Sequence, residues 1–244
     1  MNQRKVCVSF NGLCGSLCDC GQSCEPAPEQ AGGSRVLRAY FDKAGQYDWT
    51  VPDIRNGLSY PALVRLKGSG AGGESAFRAG CTYGGVGGGE GCLVECEFML
   101  VPGRTYHLTV GKGGAGGVIS PETGYTGNVA SAKGAKGENT VFDELCAAPG
   151  APGQRGGNRS LAADSSEIVT PGQPGGASVT GCNMTCQVQG GSGGGQGGSV
   201  TASQAGVHGG GGGGGTCIHG DSASLVTFTA GMDGGDGFIA IYSR

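Results

Sequence analysis

Charge is scarce in this chain. Only 14% of its residues are Asp, Glu, Lys or Arg, and the formal net charge is −3. A chain kept disordered by polarity and self-repulsion carries far more charge. A nucleic-acid binder shows a basic excess, so no nucleic-acid partner is expected. Aromatic residues are 6%, with one Trp, and there are three His. No apolar run approaches the ~18 residues of a membrane-spanning helix, so no membrane insertion is expected. The opening MNQRKVCVSFNGLCG has too short an apolar run for a secretory signal, so no export by that route is expected. An amphipathic helical period of useful length is also missing.

Two residue types are abundant instead. Gly numbers 56 and Cys 12 in 244 residues. Gly and Pro together make about a quarter of the chain, a level that without a strict repeat signals low complexity. The low charge and the cysteines argue against that default. The cysteines in turn point to an oxidising location that nothing in the sequence targets.

Residues 1–33 read as a cysteine-rich arm ending in a Pro/Gly linker, EPAPEQAGGS. Residues 34–244 read as one glycine-rich β domain. RVLRAYF, QYDWTV and ALVRLK alternate as strands do. In ALVRLK, Val64 and Leu66 share one face, and Arg65 and Lys67 the other. Trp49 falls with Tyr47 and Val51 and is expected in the core. LVECEFMLVPG and RTYHLTVG read as strands around the turn pair Pro102-Gly103. ENTVFDELC is a further strand, and SLVTFTA and GFIAIYSR close the chain around MDGGDG. Strands bracket every glycine tract, so the tracts are insertions in one antiparallel structure rather than linkers. The expected class is all-β: a sandwich-like antiparallel scaffold with an inserted polyglycine-II-like helix bundle, long Gly-rich loops and little or no α-helix.

Catalytic motifs fail on context. GxGxxG occurs at Gly68/Gly70/Gly73 and at Gly111/Gly113/Gly116, but a dinucleotide site needs a helix opening at the glycines. Both matches run on into more Gly and small residues. GxSxG around Ser192 has no strand-to-helix turn in an α/β sheet. His107 lies on the polar face of its strand. Cys217 and His219 have no matching pair of metal ligands. Asp233 and Asp236 in MDGGDG suit a Ca²⁺ loop less simply than a tight turn. No catalytic residue, cofactor site or metal site is therefore expected.

The cysteines are candidates for disulfides. The arm holds Cys7, Cys14, Cys18, Cys20 and Cys24; the body holds Cys81, Cys92, Cys96, Cys146, Cys182, Cys186 and Cys217. Zinc held by Cys14/Cys18 with Cys20/Cys24 is the competing reading for the arm. Cys92 and Cys96 sit on the apolar face of LVECEFML with Val94, Phe98 and Leu100. Four residues of strand span about 13 Å, and a disulfide needs Cα atoms within about 7 Å. Cys92 and Cys96 therefore cannot pair with each other. Both counts are odd. If every thiol is oxidised, one bond must join arm to body or one subunit to another.

The run HGGGGGGGTC poses the sharpest question. A polyproline-II-type helix has three residues per turn, rises about 3.1 Å per residue and makes no internal hydrogen bonds. Its amide and carbonyl groups point outward and need partners when buried. Neighbouring helices of the same kind supply them if the backbones come close, which favours Gly. Gly209, Gly210, Gly211, Gly212, Gly213, Gly214 and Gly215 are thus expected to form the inner helix of a bundle, anchored by Cys217, with the other tracts around it.

The segment order YDWTVP, ALVRLKGSGAGG, MLVPGRTYHLTVGKGGAGG, GENTVF and DGGDGFIAIYS resembles the glycine-rich domain of bacteriophage tail-fibre and related virion proteins. It is more distantly similar to the glycine-rich domain of some receptor tyrosine kinases. The resemblance covers residues 36–244. It implies a β scaffold carrying packed glycine helices in a virion adhesin or structural protein. The cysteine load departs from tail-fibre tips and favours a cross-linked tail, neck, collar or sheath component. Its expected partners are other copies of itself and other virion proteins. The alternative is a tail-fibre adhesin that binds a host receptor through its Gly-rich loops. A virion location removes the compartment conflict, because lysis releases the particle and its thiols oxidise afterwards.

Overall fold

The computed structural model describes residues 35–78, 82–119, 129–160, 166–177, 179–181, 205–219, 226–228 and 230–243. Contacts divide the chain into Met1–Ser34 and Arg35–Arg244. The five arm cysteines, the zinc alternative and the linker fall in the first unit, outside the described residues. So do Ser192 and Cys81, Cys182 and Cys186 of the second unit.

The second unit is all-β, with antiparallel sheets and no helix among the described residues. Its strands are β1 (Val36–Phe41), β2 (Gly45–Thr50), β3 (Tyr60–Lys67), β4 (Ser75–Arg78), β5 (Thr82–Gly84), β6 (Leu93–Leu100), β7 (Thr105–Val110), β8 (Val129–Ala132), β9 (Thr140–Phe142), β10 (Cys146–Ala148), β11 (Ile168–Thr170), β12 (Val179–Gly181), β13 (Thr216–His219), β14 (Val226–Phe228) and β15 (Phe238–Ser243). One sheet runs β1-β15-β3-β6-β11 and a second runs β10-β9-β7-β2.

These two sheets enclose one apolar core. Val64, Leu66, Val94, Leu100 and Ile241 from the first meet Tyr106, Leu108, Val110 and Phe142 from the second. Phe98 stacks on Phe142 across the interface with centroids 5.8 Å apart. The alternation expected in β3 is observed, with Val64 and Leu66 fully buried. Trp49 and Tyr47 pack against this core while partly exposed. Pro102-Gly103 forms the expected turn, with Gly103 at φ +78° and Arg104 N–H donating to Val101 C=O. A positive φ is what a type II turn demands of its third residue. ENTVFDELC is a hairpin rather than one strand, because Asp143 takes a left-handed φ of +50° and β10 folds back on β9.

The glycine tracts leave from one end of this sandwich. Lys67 pairs with both Leu93 and Phe238, Leu93 pairs with Thr170, and Thr140 pairs with Ala148. Strands of both sheets therefore start or stop there, and each continues as a glycine tract. At the far side the tracts run into two small sheets, β12-β5-β13-β14 and β4-β8.

The tracts form a lattice. In residues 68–74 the amide groups of 68, 71 and 74 donate to the carbonyls of Cys92, Gly89 and Val86. Those of 69 and 72 donate to Glu138 and Ala135, and those of 70 and 73 to Gly235 and Met232. Partners recur every third residue, the repeat of a polyproline-II-type helix. Three other tracts donate back: Gly114 and Gly117 to the carbonyls of Gly70 and Gly73, Gly212 and Gly215 to those of Ala71 and Glu74, and Ala151 to that of Ser69. Residues 68–74 are thus surrounded by six tracts, accepting from three and donating to three. The six also bond in a ring, for instance Gly88 to Gly212, Met232 to Gly213, Gly234 to Gly114, Ala135 to Ala115, Gly137 to Ala151, and Cys92 to Pro149. An eighth tract, residues 172–176, lies outside that ring and bonds to residues 87 and 90 and to residues 154 and 157.

The inner position is not where the sequence placed it. Residues 209–215 are buried throughout and bonded to three neighbouring tracts, but they lie in the ring. The centre is 68–74, GSGAGGE, which is not all Gly. Ser69 and Ala71 are fully buried there. Two small side chains fit because each faces a gap between neighbours; the Ser69 hydroxyl sits 2.7 Å from Lys112 O and 2.8 Å from Glu138 O. His208 and Gly209, at φ +47° and +81°, form a tight turn that feeds the run. MDGGDG is not a turn either. It is a lattice tract, and β14 and β15 on its two sides belong to different sheets.

A Cβ at Gly70 would overlap the carbonyl of Gly210, and one at Gly212 the carbonyl of Met232. Both neighbours are backbone, which cannot turn aside as a side chain can. Gly70→Val and Gly212→Val should each destabilise the domain by more than about 3 kcal/mol, above the usual overpacking range. Urea unfolding followed by circular dichroism reads this. Gly32→Val, in the linker, is the comparison and should leave the transition in place.

Candidate functional site

The edge of the lattice carries most of the chemistry on view. On the outer side of the ring, some amide groups meet no backbone carbonyl among the described residues. Carboxylates take their place. Asp236 Oδ1 accepts from Gly113 N–H at 2.9 Å and its Oδ2 from Ala44 N–H at 3.1 Å. Asp233 Oδ1 accepts from Gly116 N–H at 2.7 Å. The spacing of three in 233/236 matches the spacing of three in 116/113, antiparallel. Glu138 Oε2 accepts from Lys112 N–H at 3.1 Å, and Glu90 Oε2 from Gln173 N–H at 3.1 Å. Glu90 Oε1 also pairs with Lys67 Nζ at 2.6 Å, a contact largely shielded from solvent. The sequence offered a turn or a Ca²⁺ loop for Asp233 and Asp236. Three of their four carboxylate oxygens accept from backbone amides instead.

The cysteines divide. Cys96 of β6 and Cys146 of β10 form a disulfide across the two sheets, with Cα atoms 6.8 Å apart. Cys96 thus pairs with another segment, as the strand spacing required. Cys92 does not pair: its thiol is free and buried, and donates towards Thr170 O at 3.4 Å. Burial pushes the Cys92 thiol above its ordinary pKa, against the lowering pull of Lys67 and Arg159. It is therefore a poor thiolate and a poor nucleophile at neutral pH. A free Cys92 leaves six body cysteines, an even number, so the counting argument for a bond to another unit rests on the arm alone. Cys217 lies in β13, directly after the glycine run.

Glu167 lies beside the disulfide, 3.7 Å from Cys96 Sγ, and pairs with Arg159 at 3.1 Å. Cys96, Cys146 and Glu167 are close enough together to hold a metal ion. The two sulfurs are bonded to each other, however, and a bonded sulfur is not the thiolate that zinc requires. The donor set as built does not fit a metal. His107 is exposed, as its strand face implied, and its Nδ1 lies 2.6 Å from Asp48 Oδ1 on the neighbouring strand. Both GxGxxG matches are lattice tracts. Gly70 and Gly73 donate to Gly235 and Met232, and Gly113 and Gly116 to the two aspartates. Their amides are already used, so no phosphate cradle exists there.

One cleft of about 480 Å³ opens in the bundle. Its walls are Gly72 and Glu74 of the central tract, Val86 and Gly87, Lys133, Gly134 and Lys136, and the bend at Pro152 to Gln154. Nothing in the sequence marks it, because its walls come from four tracts that the fold alone brings together.

A scan against protein-family models and a search of curated proteins both find no match to this chain.

Two measurements test the roles of the rim and of the disulfide. Asp236→Ala leaves two amides without an acceptor and should cost about 1–3 kcal/mol. Asp236→Asn keeps an acceptor oxygen and should recover most of that loss. Equal losses in urea melts would refute the edge role. For the disulfide, Cys96 and Cys146 are 50 residues apart. The chain-entropy account then gives about 4 kcal/mol for the closed loop. Cys96→Ala/Cys146→Ala should show a loss of that order, and Cys92→Ala a much smaller one.

Proposed function

We propose that the chain is a non-enzymatic bacteriophage virion structural protein, a tail, neck, collar or sheath component that self-associates and is cross-linked by disulfides. The observation that carries this reading is the six-neighbour glycine lattice. All the amides of its central tract, and most of that tract's carbonyls, are spent on neighbouring backbones, so it offers a stiff strut rather than a reaction chamber. The order of segments, similar to that of tail-fibre glycine-rich domains, supports the same reading. The Cys96–Cys146 bond supports a setting in which thiols oxidise.

Copy number and position test it. Immunogold labelling of particles from a lysate, with antibody to residues 35–244, should decorate a body, neck or sheath in many copies. Label confined to a few outer tips would favour the alternative, an adhesin that binds a host receptor through its Gly-rich loops. Absence of label from every particle would overturn both.

Covalent assembly is a separate prediction, motivated by the five arm cysteines. Non-reducing electrophoresis of intact particles should give multimers that collapse to one band on reduction. A monomer without reductant removes the cross-link from the proposal. Stoichiometric zinc in the arm would replace it with a metal site.

A further inference from the structure

The cleft continues the line of one ring helix. Residues 149–153 fill the place beside the central tract where Ala151 N–H donates to Ser69 O and Gly137 N–H donates to Ala151 O. The second wall is bonded there too, through Cys92 N–H to Pro149 O and Gly89 N–H to Gly153 O. The chain then bends away at 153–155, and the walls go on without it.

Three residues further along, each wall repeats the group that the helix had used. Gly72 O comes after Ser69 O, and among the described residues it accepts no hydrogen bond. Gly134 N–H precedes Gly137 N–H, and among the same residues it donates none. Val86 N–H precedes Gly89 N–H and reaches only the Glu74 carboxylate, at 3.4 Å. The cleft thus presents one acceptor and two donors at the repeat of a threefold extended chain. A peptide laid there in that conformation would meet them with its own backbone.

We propose that this cleft docks an extended glycine-rich segment of another polypeptide chain, carrying a carboxylate at every third residue. Glycine is required at least once per turn, because the floor, Gly72 and Gly87, and the Gly134 wall are backbone: in the ring helix that the cleft continues, Ala151 is accepted, but a Cβ at Gly150 would overlap the carbonyl of Gly137. The carboxylates are called for by Lys133 and Lys136. They are exposed, stand three residues apart on one side of their tract, and both line the cleft. The only acidic group on the walls, Glu74, is turned to Val86 N–H. The fold contains its own example of such a segment: in MDGGDG, Asp233 and Asp236 recur every third residue while Gly234 and Gly235 pack on neighbouring backbones.

Titration of the isotope-labelled full chain with the synthetic peptide GGDGGDGGDGG tests this by amide spectra and amide exchange. The Gly134 amide should shift and become protected from exchange as peptide is added. AADAADAADAA and GGKGGKGGKGG should leave it unchanged. Lys133→Glu/Lys136→Glu, both surface changes, should keep the melting temperature and weaken GGDGGDGGDGG binding about tenfold or more, with the loss shrinking at high salt. Three results overturn the proposal: no shift with the acidic peptide, the same shift with the Ala peptide, or Gly134 protection already present before any peptide is added. Undiminished binding to the lysine-reversed variant overturns the acidic chemistry of the partner.

Discussion

A chain in the threefold extended helix cannot hydrogen-bond to itself. Every amide and carbonyl points sideways, and each one buried without a partner costs about 1–3 kcal/mol. A single such helix is therefore soluble or unfolded, never a core. Six neighbours can meet these groups, and the 68–74 tract has six: every one of its amides donates to a neighbouring tract, and five of its seven carbonyls accept from one. The rest of the fold serves to hold them in place. A glycine chain has the most backbone freedom to lose on ordering, and its net hydrogen bonds are individually small. The β-sandwich removes much of that freedom in advance. Strands of both sheets stop at one level, so the tracts start parallel to one another and already within reach. Strands of the small sheets at the far side join the outgoing tracts 68–74, 111–117 and 209–215 to the returning tracts 86–92, 133–138 and 231–235, and this alternation of direction is what lets neighbours around the ring bond repeatedly.

Much of the sandwich is written in the sequence in the ordinary way. Val64/Leu66 and Val94/Leu100 announce buried faces by alternation, and Pro102-Gly103 announces its turn. Trp49, expected in the core, packs on it only in part, since β2 is an edge strand with one side open. The lattice is legible only as a need. HGGGGGGGTC says that some backbone must lie close to others, but not how many neighbours it has. Neighbour number is a property of the assembled ring. An unbroken glycine run looks more central than GSGAGGE, yet Ser69 and Ala71 occupy the centre, because a small side chain fits between lattice rows. Composition therefore identifies the kind of element and misjudges its place.

The same limit applies to the polar residues. Asp233 and Asp236 read as turn formers because Asp and Gly cluster in turns. In a threefold helix the same letters mean something else: residues three apart share a side, and the pair meets amides three apart on the next tract. The cysteines are legible in geometry and not in pairing. Strand spacing excludes a Cys92–Cys96 bond, but only the approach of β10 to β6 selects Cys146 as the partner. Cys92 is left a thiol because burial alone, not bonding, accounts for it.

A sheet grows in one direction and ends at two edges, which proteins protect. A glycine lattice grows in two directions, so its whole perimeter is edge. Each outer amide of the ring is a point where a further chain could attach. The carboxylates of Asp233, Asp236, Glu138 and Glu90 occupy such points, and they do so with acceptors that are bulky, charged and unable to continue the lattice. That arrangement limits growth as much as it stabilises the rim. Gly72 and Gly134 differ because, among the described residues, no side chain acceptor or donor reaches them, and the only carboxylate on those walls, Glu74, is engaged one step away with Val86. In a structure that closes its rim with acids, a stretch lined by two lysines and unpaired backbone is a place suited to receive a chain instead of repelling one.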